Sequence, residues 1–126
     1  MDTAKKKVLV VEDDVLLRAT LVQQLEQSGF EVFTADDGEK GLELFKAHAP
    51  DAAVLDIMLP KKNGLELLEE IRKDMPENKT PIVILTNVDD MDSLSRAVAS
   101  DAVAYVIKSQ DALDTVSAIV KEKLGA

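Results

Sequence analysis

Five short apolar runs, each closing on a polar or charged residue and each separated from the next by helical spacing, constrain this chain more than any other feature. The first, Lys7-Val8-Leu9-Val10-Val11, is unbroken and β-branched and stops at Glu12, Asp13 and Asp14. A run that short, with no polar alternation, reads as a strand buried on both faces. From Val15 to Ser28 the positions Leu17, Leu21 and Leu25 recur every four residues, Arg18, Gln24 and Gln27 lie between them, and Gly29 follows. That spacing predicts an amphipathic helix closed by a glycine C-cap.

The same alternation predicts strands over Glu31 to Ala35, Ala52 to Asp56, Ile82 to Thr86 and Ala102 to Lys108. Helices are expected over Gly38 to Ala47, from the loop bearing Pro60 and Gly64 to about Asp74, over Met91 to Ala99, and over Asp111 to Leu124. Strands that alternate with helices make a parallel sheet covered on both faces, because each crossover is helical and right-handed. The expected class is therefore α/β, doubly wound, and with no linker, low-complexity tract or repeat the expectation is a single domain over residues 1–126.

Composition removes several function classes. Fifteen basic against 24 acidic residues leave a net charge of −9, which repels a phosphate backbone and argues against direct nucleic-acid binding. The absence of cysteine excludes a disulfide scaffold, a thiolate metal cluster and a cysteine nucleophile. No stretch approaches the roughly 20 apolar residues of a membrane span. No apolar signal region follows the lead from Met1 to Lys7, so a cytoplasmic chain with no membrane partner is expected.

In a parallel sheet the residues just after each strand share one rim, where ligands bind. Here that rim collects Glu12, Asp13 and Asp14 after the first strand, Asp56 at the end of the third, Thr86 after the fourth and Lys108 after the fifth. Crowded carboxylates resist ionisation unless a hard cation or a basic group sits among them. An oxygen-liganded divalent metal meets that need, and Mg²⁺, which takes one or two carboxylates plus phosphate oxygens, suits a site where a phosphoryl group arrives. Thr86 then has a hydroxyl to donate to a phosphoryl oxygen and Lys108 a charge to neutralise it. Plainer readings stand beside these: Asp13 or Asp14 serves as the N-cap of the first helix, and Lys108 forms an ion pair with the buried Asp56.

These residues resemble the receiver domain of two-component response regulators. The resemblance rests on Val8-Leu9-Val10-Val11-Glu12-Asp13-Asp14, on Asp56-Ile57-Met58-Leu59-Pro60 running into Asn63-Gly64, on Ile84-Leu85-Thr86 and on Tyr105-Val106-Ile107-Lys108, in that order along essentially the whole chain. It implies a flavodoxin-like (βα)5 fold with strand order 2-1-3-4-5, an order that periodicity alone does not provide. It implies that Asp56 is the phosphoacceptor for the phosphohistidine of a sensor histidine kinase or phosphotransfer protein. Mg²⁺ is then held at Asp56, by Asp13 directly, by Glu12 through water and by the Met58 backbone carbonyl. Thr86 and Lys108 each hold a phosphoryl oxygen, and Thr86 and Tyr105 act as the switch that alters the face near the last two helices and the fifth strand. On this reading the chain is no turnover enzyme. Its output is the binding of a downstream protein, as a monomer or a weak phosphorylation-linked dimer.

Departures from the family pattern gather in the switching half. Ser109 stands where a proline usually follows the lysine, Asp101 where a glycine precedes the fifth strand, and Asn87 where a smaller residue follows Thr86. They favour an alternative, a degenerate receiver that binds its partner independently of phosphorylation. A phosphatase of the haloacid dehalogenase kind needs an acid two residues after its nucleophile, where this chain has Met58. A flavin or nucleotide binder needs a glycine-rich loop after the first strand, which is missing. His48 is expected at the rim opposite Asp56, Lys61 and Lys62 are expected as solvated loop lysines, and the apolar Met58 and Val88 are expected to slow loss of the phosphoryl group.

Overall fold

The computed structural model describes residues 5–86, 104–108 and 111–125. In chain order the elements are β1 (Lys7–Val11), α1 (Val15–Gln27), β2 (Glu31–Ala35), α2 (Gly38–His48), β3 (Ala52–Asp56), α3 (Gly64–Asp74), β4 (Ile82–Thr86), β5 (Ala104–Ile107) and α4 (Ala112–Leu124). The strands form one parallel sheet in the order β2-β1-β3-β4-β5, as the resemblance implies. The helix predicted over Met91 to Ala99 lies outside the described residues, as do Asn87, Val88, Asp101 and Ser109.

The unbroken apolar runs are explained by burial on both faces. Along β1, Leu9 and Val11 face a core built with Phe45 of α2 and with Leu68 and Ile71 of α3. Their neighbours Val8 and Val10 face a second core with Leu21 and Leu25 of α1 and Val116 and Val120 of α4. Successive strand residues point to opposite faces, so a central strand covered by helices on both sides has no position left for a polar residue.

Element boundaries follow local chemistry. Asp14 caps α1, accepting from the Leu17 N–H at 3.0 Å, and Gly29 takes a φ of 96° just beyond the C-cap residue Ser28. Asn63 and Glu66 form a reciprocal capping box at the start of α3. The helix α2 runs one residue past its predicted end, to His48, and closes on Ala49 at a φ of 46°. The strand β5 begins at Ala104; the predicted start at Ala102 falls outside the described residues, and Lys108 follows the strand.

With β2 on one side of β1 and β3 on the other, the chain reverses its winding direction at β1 and β3. A crevice opens beyond the carboxyl ends of strands at such a switch point. Glu12 and Asp56 stand at those two ends.

Candidate functional site

Strand geometry brings the acids together. Val11 pairs with Leu55, so the residue that follows each, Glu12 and Asp56, emerges at the same level of the sheet. Ligand oxygens of Glu12, Asp13 and Asp56 all lie within 4.8 Å of one another. Glu12 is fully buried, Asp56 is 1% exposed and Asp13 faces solvent. Asp13 and Asp14 thus divide the two readings between them: Asp14 caps α1 and Asp13 joins the cluster.

Lys108 closes the site from β5. Its backbone N–H donates to the Thr86 carbonyl at 2.8 Å, fixing the end of β5 against β4. Its Nζ reaches Asp56 Oδ2 at 2.7 Å and Glu12 Oε1 at 3.2 Å. Burial works to lower the Lys108 pKa, but the hydrogen bond and charge of Asp56, followed by the charge of Glu12, hold it above the ordinary lysine value. The expected ion pair therefore exists, with a second acid sharing the same cation.

One positive charge does not neutralise two buried carboxylates. Burial first, then the hydrogen bond and negative charge of Asp56, push the Glu12 carboxyl up to about 8. Its Oε2 accepts from the Asp14 N–H at 3.2 Å, while Oε1, although near Lys108, makes no well-aligned hydrogen bond among the described residues. A buried oxygen in that condition beside two further carboxylates fits a hard, oxygen-seeking cation, and the donor set of carboxylates suits a divalent metal ion.

The remaining predicted residues divide by place. Thr86, buried at the end of β4, lies one position beyond Leu85, the partner of Asp56 in the sheet register. The Met58 N–H donates to Asp56 Oδ1 at 3.2 Å, which sets the start of the loop after β3, and the Met58 side chain is 61% exposed. Tyr105 is not in the crevice: it pairs with Ile84 on the edge strand and is 36% exposed. His48 lies at the opposite end of the sheet, stacked on Phe33 with ring centroids 4.1 Å apart, and its carbonyl accepts from Lys7 Nζ.

Lys61 and Lys62 are less free than a solvated pair. Lys61 Nζ is 3.8 Å from Asp37 Oδ2, and Lys62 pairs with Glu70 of α3. Two further contributions escaped the sequence reading. Arg18 donates to the Glu12 carbonyl at 2.8 Å, pinning the acidic turn from one helical turn away. Gly64 lets α3 start against the end of β3, since a Cβ there would overlap the Asp56 carbonyl oxygen and lie 2.8 Å from its carbon.

A family model described as the response regulator receiver domain matches residues 8–120. The Cyanophora paradoxa protein named probable transcriptional regulator ycf27 is 39% identical over 108 residues, 86% of this chain and 44% of that protein. The transcriptional regulatory protein PdtaR of Mycobacterium tuberculosis strain H37Rv is 33% identical over 115 residues, 90% of this chain and 55% of that protein. The chain thus spans about half the length of these curated relatives. Among solved structures, the N-terminal domain of WS1339 from Wolinella succinogenes superposes with a TM-score of 0.87 at 29% identity, covering 97% of this chain and 95% of that one. The Vibrio cholerae chemotaxis protein CheY4 gives 0.84 at 26% identity, covering 94% and 98%.

Proposed function

The chain belongs to the response regulator receiver domain family of two-component systems, and from that premise we propose that it accepts a phosphoryl group on Asp56 from the phosphohistidine of a sensor histidine kinase or phosphotransfer protein. The observation that carries the proposal is a buried aspartate held by Lys108 at 2.7 Å within a cluster of two further acids. Such a carboxylate is fixed in orientation and has a cation beside it for the charge it acquires.

In the proposed transfer an Asp56 carboxylate oxygen forms the new O–P bond as the P–N bond to the donor imidazole breaks, and the bonding pair leaves with the ring nitrogen. Glu12, Asp13, Asp56 and the Met58 backbone carbonyl would hold Mg²⁺, which when bound supplies positive charge for the phosphoryl oxygens. Lys108, released in part from Asp56 Oδ2, neutralises a second phosphoryl oxygen, and the Thr86 hydroxyl donates to a third.

The chain then serves as a phosphoacceptor that assists its own modification, with no turnover on an external substrate. Phosphorylation shifts a two-state equilibrium in which Thr86 and Tyr105 are the moving parts, and the altered face binds a downstream protein. The net charge of −9 favours a protein partner over nucleic acid. The two curated relatives bear names of transcriptional regulators, so a transcriptional output passes through whatever protein the receiver binds or is joined to.

Intact mass after incubation with acetyl phosphate, with and without Mg²⁺, on the native protein and on Asp56→Asn, tests the proposal. A single phosphoryl adduct that requires both Mg²⁺ and Asp56 is expected. A folded native protein that gains no adduct would overturn it in favour of phosphorylation-independent binding.

A further inference from the structure

The loop between β3 and α3, residues 57–63, carries Met58 beside Asp56 and is held at its far end by backbone packing as well as by charge. Gly38, the first residue of α2, sits so close to this loop that a Cβ on it would overlap the Lys62 carbonyl oxygen and lie 2.5 Å from Lys62 C and 2.6 Å from Lys62 Cβ. Ordinary contacts between carbon atoms are about 3.5–4.0 Å. Two of the three obstructing atoms are backbone, so no side-chain rotation relieves the overlap; the loop itself has to move.

Other contacts bind the same two segments. The Gly38 N–H donates to the Pro60 carbonyl at 3.3 Å, and the Lys62 N–H returns to that carbonyl at 2.7 Å. Asp37, which caps α2 by accepting from the Lys40 N–H, also faces Lys61. Lys61 holds a φ of 67°, a left-handed turn at the tip of the loop. The near end is fixed by the Met58 N–H on Asp56 and by the Gly64 N–H on the Ile57 carbonyl at 3.0 Å. The loop is thus seated between the first turn of α2 and the end of β3, and Pro60, with its fixed φ, links the Lys62 seat to Met58.

We propose that Gly38 is a positioning residue for cation binding: by having no side chain it lets the loop seat against α2, which holds Met58, bonded through its N–H to Asp56, where its backbone carbonyl would serve the cation. The inference rests on the proposed function, since it takes the acidic cluster with Met58 as the Mg²⁺ site. Gly38 touches neither the cation nor the phosphoryl group and acts only through the loop.

The test is Mg²⁺ titration by calorimetry, with the rate of Asp56 phosphorylation by acetyl phosphate followed across Mg²⁺ concentrations. Gly38→Ala is expected to weaken Mg²⁺ binding by about tenfold, the size typical of disturbing a residue that orients a metal ligand. Its phosphorylation rate is expected to recover at saturating Mg²⁺. The comparison variant is Gly41→Ala, on the same helix, whose new methyl meets side chains of Val11 and Leu67 at 2.9 to 3.2 Å and not the loop. It is expected to lower stability and leave Mg²⁺ affinity unchanged. Unchanged affinity in Gly38→Ala, or an equal loss in both variants, would overturn the inference.

Hydrogen exchange on the native protein covers the case in which Gly38→Ala does not fold. By linkage, a seat that favours Mg²⁺ is itself favoured by Mg²⁺. Saturating Mg²⁺ is therefore expected to slow exchange of the Gly38 amide more than that of the Gly41 amide, which donates to the Asp37 carbonyl within α2. Equal effects on both would overturn the inference. Failure of the native protein to bind Mg²⁺ at all would instead overturn the function on which it rests, so the two failures are distinguishable.

Discussion

Lys108 Nζ stands 2.7 Å from Asp56 Oδ2, bringing together residues 52 positions apart from the ends of two strands separated in the sheet by β4. Because Glu12 shares the same ammonium at 3.2 Å, the site holds two buried acids against one cation. On the proposed function, this imbalance is what a metal ion and a phosphoryl group would act upon.

Removing that cation exposes the imbalance. Lys108→Met is expected to lower stability by about 1–3 kcal/mol in divalent-free buffer, because it leaves buried carboxylates without their partner. Mg²⁺ is expected to recover part of the loss. Urea unfolding midpoints with and without Mg²⁺ measure both effects; an unchanged midpoint in divalent-free buffer would contradict the pairing.

Glu12 sets the sign of the pH dependence. With its carboxyl raised from 4.5 to about 8, the folded protein holds this proton more tightly than the unfolded chain does. That contribution to stability is fully present below about pH 4.5 and is lost as pH rises through about 8. Glu12→Gln keeps the shape without the proton, so in divalent-free buffer the variant is expected to gain on the native protein as pH rises across this window. Mg²⁺ affinity of the native protein is expected to increase over the same range, since the ion competes with the proton. Parallel stability profiles for the two proteins would rule out the assignment.

Thr86 contributes a hydroxyl and little else to the proposed transfer. Thr86→Ala is expected to slow phosphorylation by acetyl phosphate about 10²-fold or more, the scale of losing one donor to developing charge, while Thr86→Ser retains most of the rate. Equal rates in all three proteins would remove Thr86 from the mechanism.

Tyr105 offers a direct readout of the proposed switching. It is the single tyrosine in a chain without tryptophan, so tyrosine emission reports this side chain alone. Phosphorylation is expected to reduce the quenching of that emission by iodide as the exposed ring turns inward. Quenching that stays the same in the phosphorylated native protein would exclude Tyr105 as the moving part.

Much of the fold was legible because the central strands of a doubly covered parallel sheet leave a direct trace. Lys7–Val11, Glu31–Ala35, Ala52–Asp56 and Ile82–Thr86 match the predicted bounds, each a compact apolar or β-branched segment between polar breaks. The candidate site was legible for the same reason: every strand points the same way, so the residues ending the runs had to share one rim. The strand order was not readable from periodicity, because any permutation of buried strands gives the same apolar runs; it came from resemblance and agrees with the structure.

The sequence by itself determined the layered α/β architecture and the collection of acids, hydroxyl and lysine at one edge, because burial and chain direction are encoded locally in spacing and residue type. Only the tertiary structure decided how those groups divide their work. Asp14 became a cap and Asp13 a member of the cluster, one lysine came to serve two acids, and Gly38 came to lie against Lys62, 24 residues further along the chain. Such relationships depend on separations between segments remote in sequence being held to within a few tenths of an ångström, and those separations are set by the packing of α2, the sheet and the loop after β3 together.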